Sequence, residues 1–139
     1  MQIKLIALDL DGTTLNSKGF LTKVTKETIE EAIYRKVHVV VATGRVLSAL
    51  PEEILEIRGI QYVATSNGAR LQDLISKESI YTNLIASHAI DNAVRLLKQF
   101  DFMMEAFIAG NAYIDMEIYK NILIISLRPG PPWITCWIL

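Results

Sequence analysis

The sequence is short of the features that would tie a chain to a membrane, to a nucleic acid or to an oxidising compartment. Its single cysteine, Cys136, has no intrachain disulfide partner and no companion for a thiolate metal site, which fits a reducing compartment. No apolar run approaches the ~20 residues that span a bilayer, and Met1-Gln2-Ile3-Lys4 leads into a strand-like stretch rather than a leader. The net charge is −1, so no basic excess is available for a phosphate backbone. No Gly-x-Gly-x-x-Gly or Gly-x-x-x-x-Gly-Lys-Ser/Thr pattern is present, which argues against dinucleotide and nucleotide binding. The two histidines, His38 and His88, fall at no ligand spacing and read as a strand residue against a helix and a helix-surface residue. These absences leave a cytoplasmic protein with neither nucleic-acid nor membrane partners as the expectation.

What is present is an apolar content of 51% with 21% charged residues in 139 residues. That suffices for one ordinary core, or for one domain with a small appendage. The most informative stretch is Leu5-Ile6-Ala7-Leu8-Asp9-Leu10-Asp11-Gly12-Thr13-Thr14-Leu15. An aliphatic strand ends in two acids one residue apart, then in a glycine turn. Strand alternation puts Asp9 and Asp11 on one side and Leu10 in the fold, so two carboxylates share one site. Such a pair holds a hard cation, or divides into an ionised nucleophile and a protonated acid. Gly12 permits the sharp turn, and Thr13 and Thr14 offer hydroxyls and N–H groups to an anion.

Thr22, with Thr25 as the alternative start, is the expected N-cap of a helix running to about Arg35, with Val24, Thr28, Ile29, Ala32 and Ile33 facing inward. Asn16 to Leu21 reads as a short hairpin flap. Val37 to Ala42 is a β-branched run of the kind found where both faces of a parallel sheet are covered, and it ends in Thr43-Gly44-Arg45. The resulting βαβ unit brings Asp9 and Thr43 to one rim, where ligands of open α/β sheets bind. Val46 to Arg58 is expected to be a helix with Leu47, Leu50, Ile54 and Ile57 inward, and Pro51 in or near its first turn. Ile60 to Ala64 is a third strand delivering Asn67-Gly68 to the same rim, where that pair also reads as a two-residue hairpin turn. Ser79 to Thr82 pairs behind that hairpin. Ala86 to Phe100 is a helix capped by Ser87, and Phe102 to Phe107 and Ala112 to Met116 are two strands joined around Gly110-Asn111.

The run from Asp9 to Leu15 resembles the first motif of the haloacid dehalogenase-like (HAD) phosphohydrolase superfamily, Asp-x-Asp-Gly-Thr and a following hydrophobic residue. Thr43-Gly44-Arg45 resembles the second motif, and Asn67-Gly68-Ala69 is similar to the Cof-type, sugar-phosphatase-like branch. The resemblance implies an α/β fold: a partial Rossmann-like parallel sheet core over residues 1–84 and the beginning of an α+β cap over 85–127. It implies Asp9 as nucleophile and Asp11 as general acid and then base. Phosphoryl oxygens would be held by Thr43 and the Gly12 and Gly44 backbone, with Asn67 and Arg45 at the entrance. Mg²⁺ would be held by the Asp9 carboxylate and the Asp11 carbonyl, and the substrate would be a small phosphorylated metabolite, such as a sugar phosphate. Family members usually carry glycine where Lys36 stands, closing the preceding helix in a left-handed conformation.

The resemblance covers Ile3 to about Met116, the first half of a Cof-type protein. The family's later lysine and its downstream acidic metal-binding segment have no counterpart, since Lys120 is isolated and Asp115 lies in the expected cap. Little phosphatase activity is therefore expected of this chain alone. Ile122 to Leu127 reads as a strand, but residues 128–139 hold three of the four prolines and both tryptophans, an atypical tail expected to be unrelated sequence on a truncated family member. The alternative function is a non-catalytic or regulatory half-fold that binds a partner, or itself, through an exposed sheet edge or the tail. A phospho-accepting signalling domain fits less well, because its acceptor aspartate ends a later strand, where this chain has Thr43 and Asn67.

Overall fold

The computed structural model describes residues 2–100, 104–108, 111–114 and 136–138. The chain divides into two compact units, Met1–Asn83 and Leu84–Leu139. The first contains a five-stranded sheet in sequential order, β1 (Leu5–Leu8), β2 (His38–Ala42), β3 (Tyr62–Thr65), β4 (Arg70–Asp73) and β5 (Ser79–Thr82). The pairs β1–β2 and β2–β3 are parallel, and β3–β4 and β4–β5 are antiparallel. Because three parallel strands end on one side, the segments after Leu8, Ala42 and Thr65 converge on one rim. A hairpin closed by the Leu15–Leu21 bridge follows the first of these segments, as expected for the flap.

Helix α1 (Lys23–Tyr34) starts where its cap predicts, with the Thr22 hydroxyl accepting from the Thr25 N–H at 3.2 Å. Ile29 is buried and Ala32 and Ile33 pack against the core, whereas Val24 and Thr28, expected to face inward, are exposed. The helix ends in a Schellman turn: the Lys36 N–H bonds the Ile33 carbonyl at 2.9 Å and the Val37 N–H bonds the Ala32 carbonyl at 3.0 Å. Lys36 takes φ +65° to make it. A β-carbon in that region is strained, so lysine is held there at a conformational cost.

The long helix expected from Val46 to Arg58 is instead two short pieces, a 3-10 turn (Leu47–Ala49) and α2 (Glu52–Leu55). Leu50 and Pro51 between them are extended, at ψ 137° and 136°. Proline disfavours the helical conformation of the residue before it and has no N–H to continue the ladder, which accounts for the break. Burial was nonetheless legible, for Leu50, Ile54 and Ile57 all lie in the core.

That core, with Leu10, Ile29, Val39, Val41 and Val63, lies on one face of the sheet. The register pairs Leu5 with His38, Ala7 with Val40 and Ala42 with Ala64, so these residues share the other face. Leu5, Ala7 and His38 are exposed there and Val40, Ala42 and Ala64 only half-buried. The two-sided burial expected of β2 is therefore one-sided among the described residues, and His38 is exposed rather than packed on a helix. The hairpin between β3 and β4 spans Ser66 to Ala69 rather than two residues, because Thr65 pairs with Arg70.

The second unit contains α3 (Ser87–Leu97) and a three-stranded sheet in the order β7 (Asn111–Ile114), β6 (Met104–Ile108), β8 (Cys136–Ile138). Ile90, Val94 and Leu97 form a half-buried stripe on α3, but the N-cap is Ala86, without a side-chain bond, and not Ser87. The strand expected over 122–127, residues Asp115 and Lys120 and most of the tail lie outside the described residues. Among the described residues no helix is long and apolar enough to cross a membrane.

Lys36→Gly relieves the left-handed strain and is expected to stabilise the fold by about 1 kcal/mol, read as a raised urea midpoint; an unchanged or lowered midpoint contradicts the strain argument. Asp73 closes the β4–β5 hairpin, accepting from Gln61 Nε2 at 2.7 Å and from the Ile75 and Ser76 N–H groups at 2.7 and 3.1 Å. The Gln61 bond first, and then the two backbone bonds, hold its carboxyl below the ordinary 3.8. A lowered folded value stabilises above the unfolded one, and that contribution disappears as the pH falls through the folded value. As the pH falls from neutral through the carboxylate range, Asp73→Asn should therefore lose less stability than the parent chain in urea titrations.

Candidate active site

The turn after β1 is built around Leu10, which is 0% exposed, with Asp9 and Asp11 exposed on either side of it. The Leu15 N–H closes the turn on the Leu10 carbonyl at 2.9 Å, and the buried Thr14 hydroxyl bonds the Asp9 carbonyl at 2.5 Å. Gly12 sits at φ +74°. A β-carbon there would meet nothing within 4 Å, so glycine is needed for the backbone angle and not for space. The Thr13 hydroxyl approaches Asp9 Oδ2 at 3.4 Å.

The ends of β2 and β3 are laced to each other. The Thr43 N–H donates to the Ala64 carbonyl at 2.9 Å, the Asn67 N–H to the Thr43 carbonyl at 3.1 Å and the Ser66 N–H to the Arg45 carbonyl at 2.9 Å. Thr43 is buried, and its hydroxyl accepts from the Arg45 N–H at 3.2 Å. Asn67 takes φ +53°, a conformation asparagine tolerates, and its side chain lies over Gly44. A β-carbon at Gly44 would come within 2.9 Å of Asn67 Oδ1.

Asp9, Ala42, Thr43, Gly44, Ala64, Asn67 and Gly68 surround an open cavity of about 400 Å³. Four of the residues singled out from the sequence, Asp9, Thr43, Gly44 and Asn67, line the cavity, and Gly12, Asp11 and Arg45 stand on the rim beside it. Sequence reasoning missed Ala42 and Ala64, cross-strand partners whose small side chains leave the cavity its room. Two alanines at the ends of adjacent strands were the available signal. Asp11 and Arg45 are brought together, and neither is among the residues that line the cavity.

Arg45 Nε and Nη2 donate to the two oxygens of Asp11 at 2.9 and 2.6 Å, and Nη1 donates to the Ala49 carbonyl at 3.1 Å. This pairing was also missed. Its signal was an arginine and an aspartate in two loops of the same rim. The hydrogen bonds from Arg45, aided by its charge and opposed by slight desolvation, hold the Asp11 carboxyl below the ordinary carboxylate range, and the same bonds raise Arg45. In this state Asp11 is ionised against a cation, and is not the protonated member of the acid pair.

Asp9 and the carbonyl of Asp11 are hard oxygen donors of the type that suits Mg²⁺, an ion that retains several waters. Among the described residues, however, no three His, Cys, Asp or Glu side chains gather closely enough to hold a metal. The donor chemistry fits, and the donors present form only part of a site.

A family model described as haloacid dehalogenase-like hydrolase matches residues 6–126. The phosphatase YwpJ of Bacillus subtilis is 29% identical over 86% of this chain and 49% of its own length. The 5-amino-6-(5-phospho-D-ribitylamino)uracil phosphatase YcsE of the same organism is 33% identical over 61% of this chain and 36% of its own length. Among solved structures, the HAD phosphatase BT1666 of Bacteroides thetaiotaomicron superposes with a TM-score of 0.73 at 24% identity, over 95% of this chain and 49% of that one. The HAD subclass IIB sugar phosphatase BT4131 superposes with a TM-score of 0.70 at 19% identity, over 95% and 52%. The chain spans about half the length, or less, of these relatives. With the match running from the middle of β1 through the rim and into the second unit, the chain belongs to the haloacid dehalogenase-like hydrolases.

Proposed function

We propose that the rim is the phosphoryl-transfer site of a phosphohydrolase acting on a small phosphorylated metabolite in the cytoplasm. The observation that carries this reading is that Asp9 is the one carboxylate lining the cavity, and it faces a wall of Thr43, Gly44 and Asn67. A carboxylate oxygen of Asp9 attacks phosphorus and the bond to the leaving alcohol breaks, leaving an aspartyl phosphate. Asp11, ionised against Arg45 in the free chain, takes up a proton as the negatively charged substrate binds, donates it to the departing oxygen and then takes one from the water that hydrolyses the acyl phosphate. Thr43 and the N–H groups of Gly12 and Gly44 hold phosphoryl oxygens, and Asn67 and Arg45 border the entrance. Mg²⁺, held by the Asp9 carboxylate and the Asp11 carbonyl, would supply charge neutralisation between nucleophile and phosphate. The names of YcsE, which acts on a phosphoribityl compound, and of the sugar phosphatase BT4131 support a polyol or sugar phosphate as the substrate class.

A second reading, a partner-binding half-fold, rests on β1. Among the described residues it is the edge of its sheet, and Ile3 just before it and Leu5 within it are 62% and 57% exposed.

Hydrolysis of an aryl phosphate by the 139-residue chain, with and without Mg²⁺, separates the two. Weak, metal-dependent turnover that is abolished in Asp9→Ala is expected. Turnover no greater than that of Asp9→Ala would leave the half-fold reading. Gly44→Ala displaces the Asn67 side chain and should weaken inorganic phosphate binding by about tenfold, while folding stability changes by less than about 1 kcal/mol. Calorimetric titration and a urea melt give the two values, and unchanged phosphate affinity would remove Asn67 from the site.

A further inference from the structure

We infer that Arg45 is a positioning residue that fixes the carboxylate of Asp11, and that it does not bind the phosphoryl group. The inference deepens the proposed function and rests on Asp11 being its acid and base. Three observations carry it.

First, three of the five N–H donors of the guanidinium, one on each nitrogen, are engaged, and the fork takes the edge that would pair bidentately with a phosphate. The Nε/Nη2 edge forks both Asp11 oxygens at 2.9 and 2.6 Å, and Nη1 is held from behind by the Ala49 carbonyl at 3.1 Å. Second, Arg45 does not line the cavity that Asp9, Thr43, Gly44 and Asn67 line. A phosphate seated against Asp9 meets those residues without displacing the fork. Third, the mount is rigid. The Arg45 N–H bonds the Thr43 hydroxyl and its carbonyl accepts from the Ser66 N–H at 2.9 Å, so its backbone is anchored to the ends of both β2 and β3.

Asp11, by contrast, lies in an irregular turn at φ −76° and ψ 123°, with its side chain 57% exposed. Such a carboxylate would sample several rotamers in water, and a planar fork selects one. Lysine, a point charge on a flexible stem, cannot replace a fork that bonds two oxygens at once. Arg45 therefore ties the turn after β1 to the loop after β2 through one side chain, and the aim of Asp11 is set from the second strand. To exchange a proton with a substrate or a water, Asp11 has to release only one of its two bonds to Arg45.

The test uses the whole chain labelled with ¹³C at aspartate and ¹⁵N at arginine, with inorganic phosphate as the probe at constant neutral pH. Asp11→Asn identifies the Asp11 carboxyl signal, and Asp9→Asn that of Asp9. Positioning predicts that Arg45→Gln and the charge-preserving Arg45→Lys both move the Asp11 carboxyl signal to that of a free surface aspartate and leave the Asp9 signal in place. It also predicts that the Arg45 Nε–H signal of the parent chain is unchanged by phosphate, and that phosphate affinity falls by less than about threefold in either variant. An Asp11 signal that stays put in both variants overturns the inference. So does a loss of about tenfold or more in phosphate affinity, or an Nε–H signal that shifts when phosphate is added. If the parent chain binds no phosphate, the proposed function fails, and the carboxyl signals still decide the role of Arg45.

Discussion

The rim depends on the burial of one side chain, Leu10. Removing its isobutyl group from water stabilises the turn by roughly 1.5 to 3 kcal/mol, more than any single exposed contact nearby. With Leu10 anchored, Asp9 and Asp11 are left on the solvent side, and the bonds from Thr14 and Leu15 back to Asp9 and Leu10 keep the turn from unwinding. The catalytic candidates are thus held by an apolar residue that takes no part in the chemistry.

From that anchor the two acids receive different surroundings. Among the described residues Asp9 has only the long contact from Thr13 on its carboxylate, and it lines the cavity where a ligand would meet it. Asp11 is forked by Arg45. Two carboxylates one residue apart repel each other when both are ionised, and the guanidinium offsets one of the two charges. A division of roles between otherwise identical side chains follows from this asymmetry and not from residue type.

The same sheet shows where the chain's architecture is open. Parallel strands are ordinarily covered on both faces, yet among the described residues Leu5, Ala7 and His38 are uncovered, and β1, which leads to the nucleophile candidate, is an edge. The relatives are about twice as long as the region they share with this chain. The one-sided core is nevertheless continuous, because α1 and the segment from Leu47 to Ile60 pack their apolar residues onto a single face.

Local patterns were enough to read the first three strands, the helix start at or near Thr22 and the aspartate-glycine-threonine turn, since each depends on a few neighbouring residues, whereas the left-handed turn at Lys36 was suggested by the family resemblance. Patterns that depend on competition between neighbours were harder. Pro51 outweighed the helical periodicity of 46–58, and the sequence alone could not say whether proline would fall inside a helix or divide it. Side-chain partnerships across the chain were not legible at all. Arg45 and Asp11 are separated by 34 positions, and the fork between them exists only because two parallel strands end together. By itself the sequence determined the strand ends, the identity of the acids and the family, because these reside in contiguous motifs. The tertiary structure alone decided which acid faces the cavity and which is held by a cation, because that choice is made by distances between loops that no local propensity encodes.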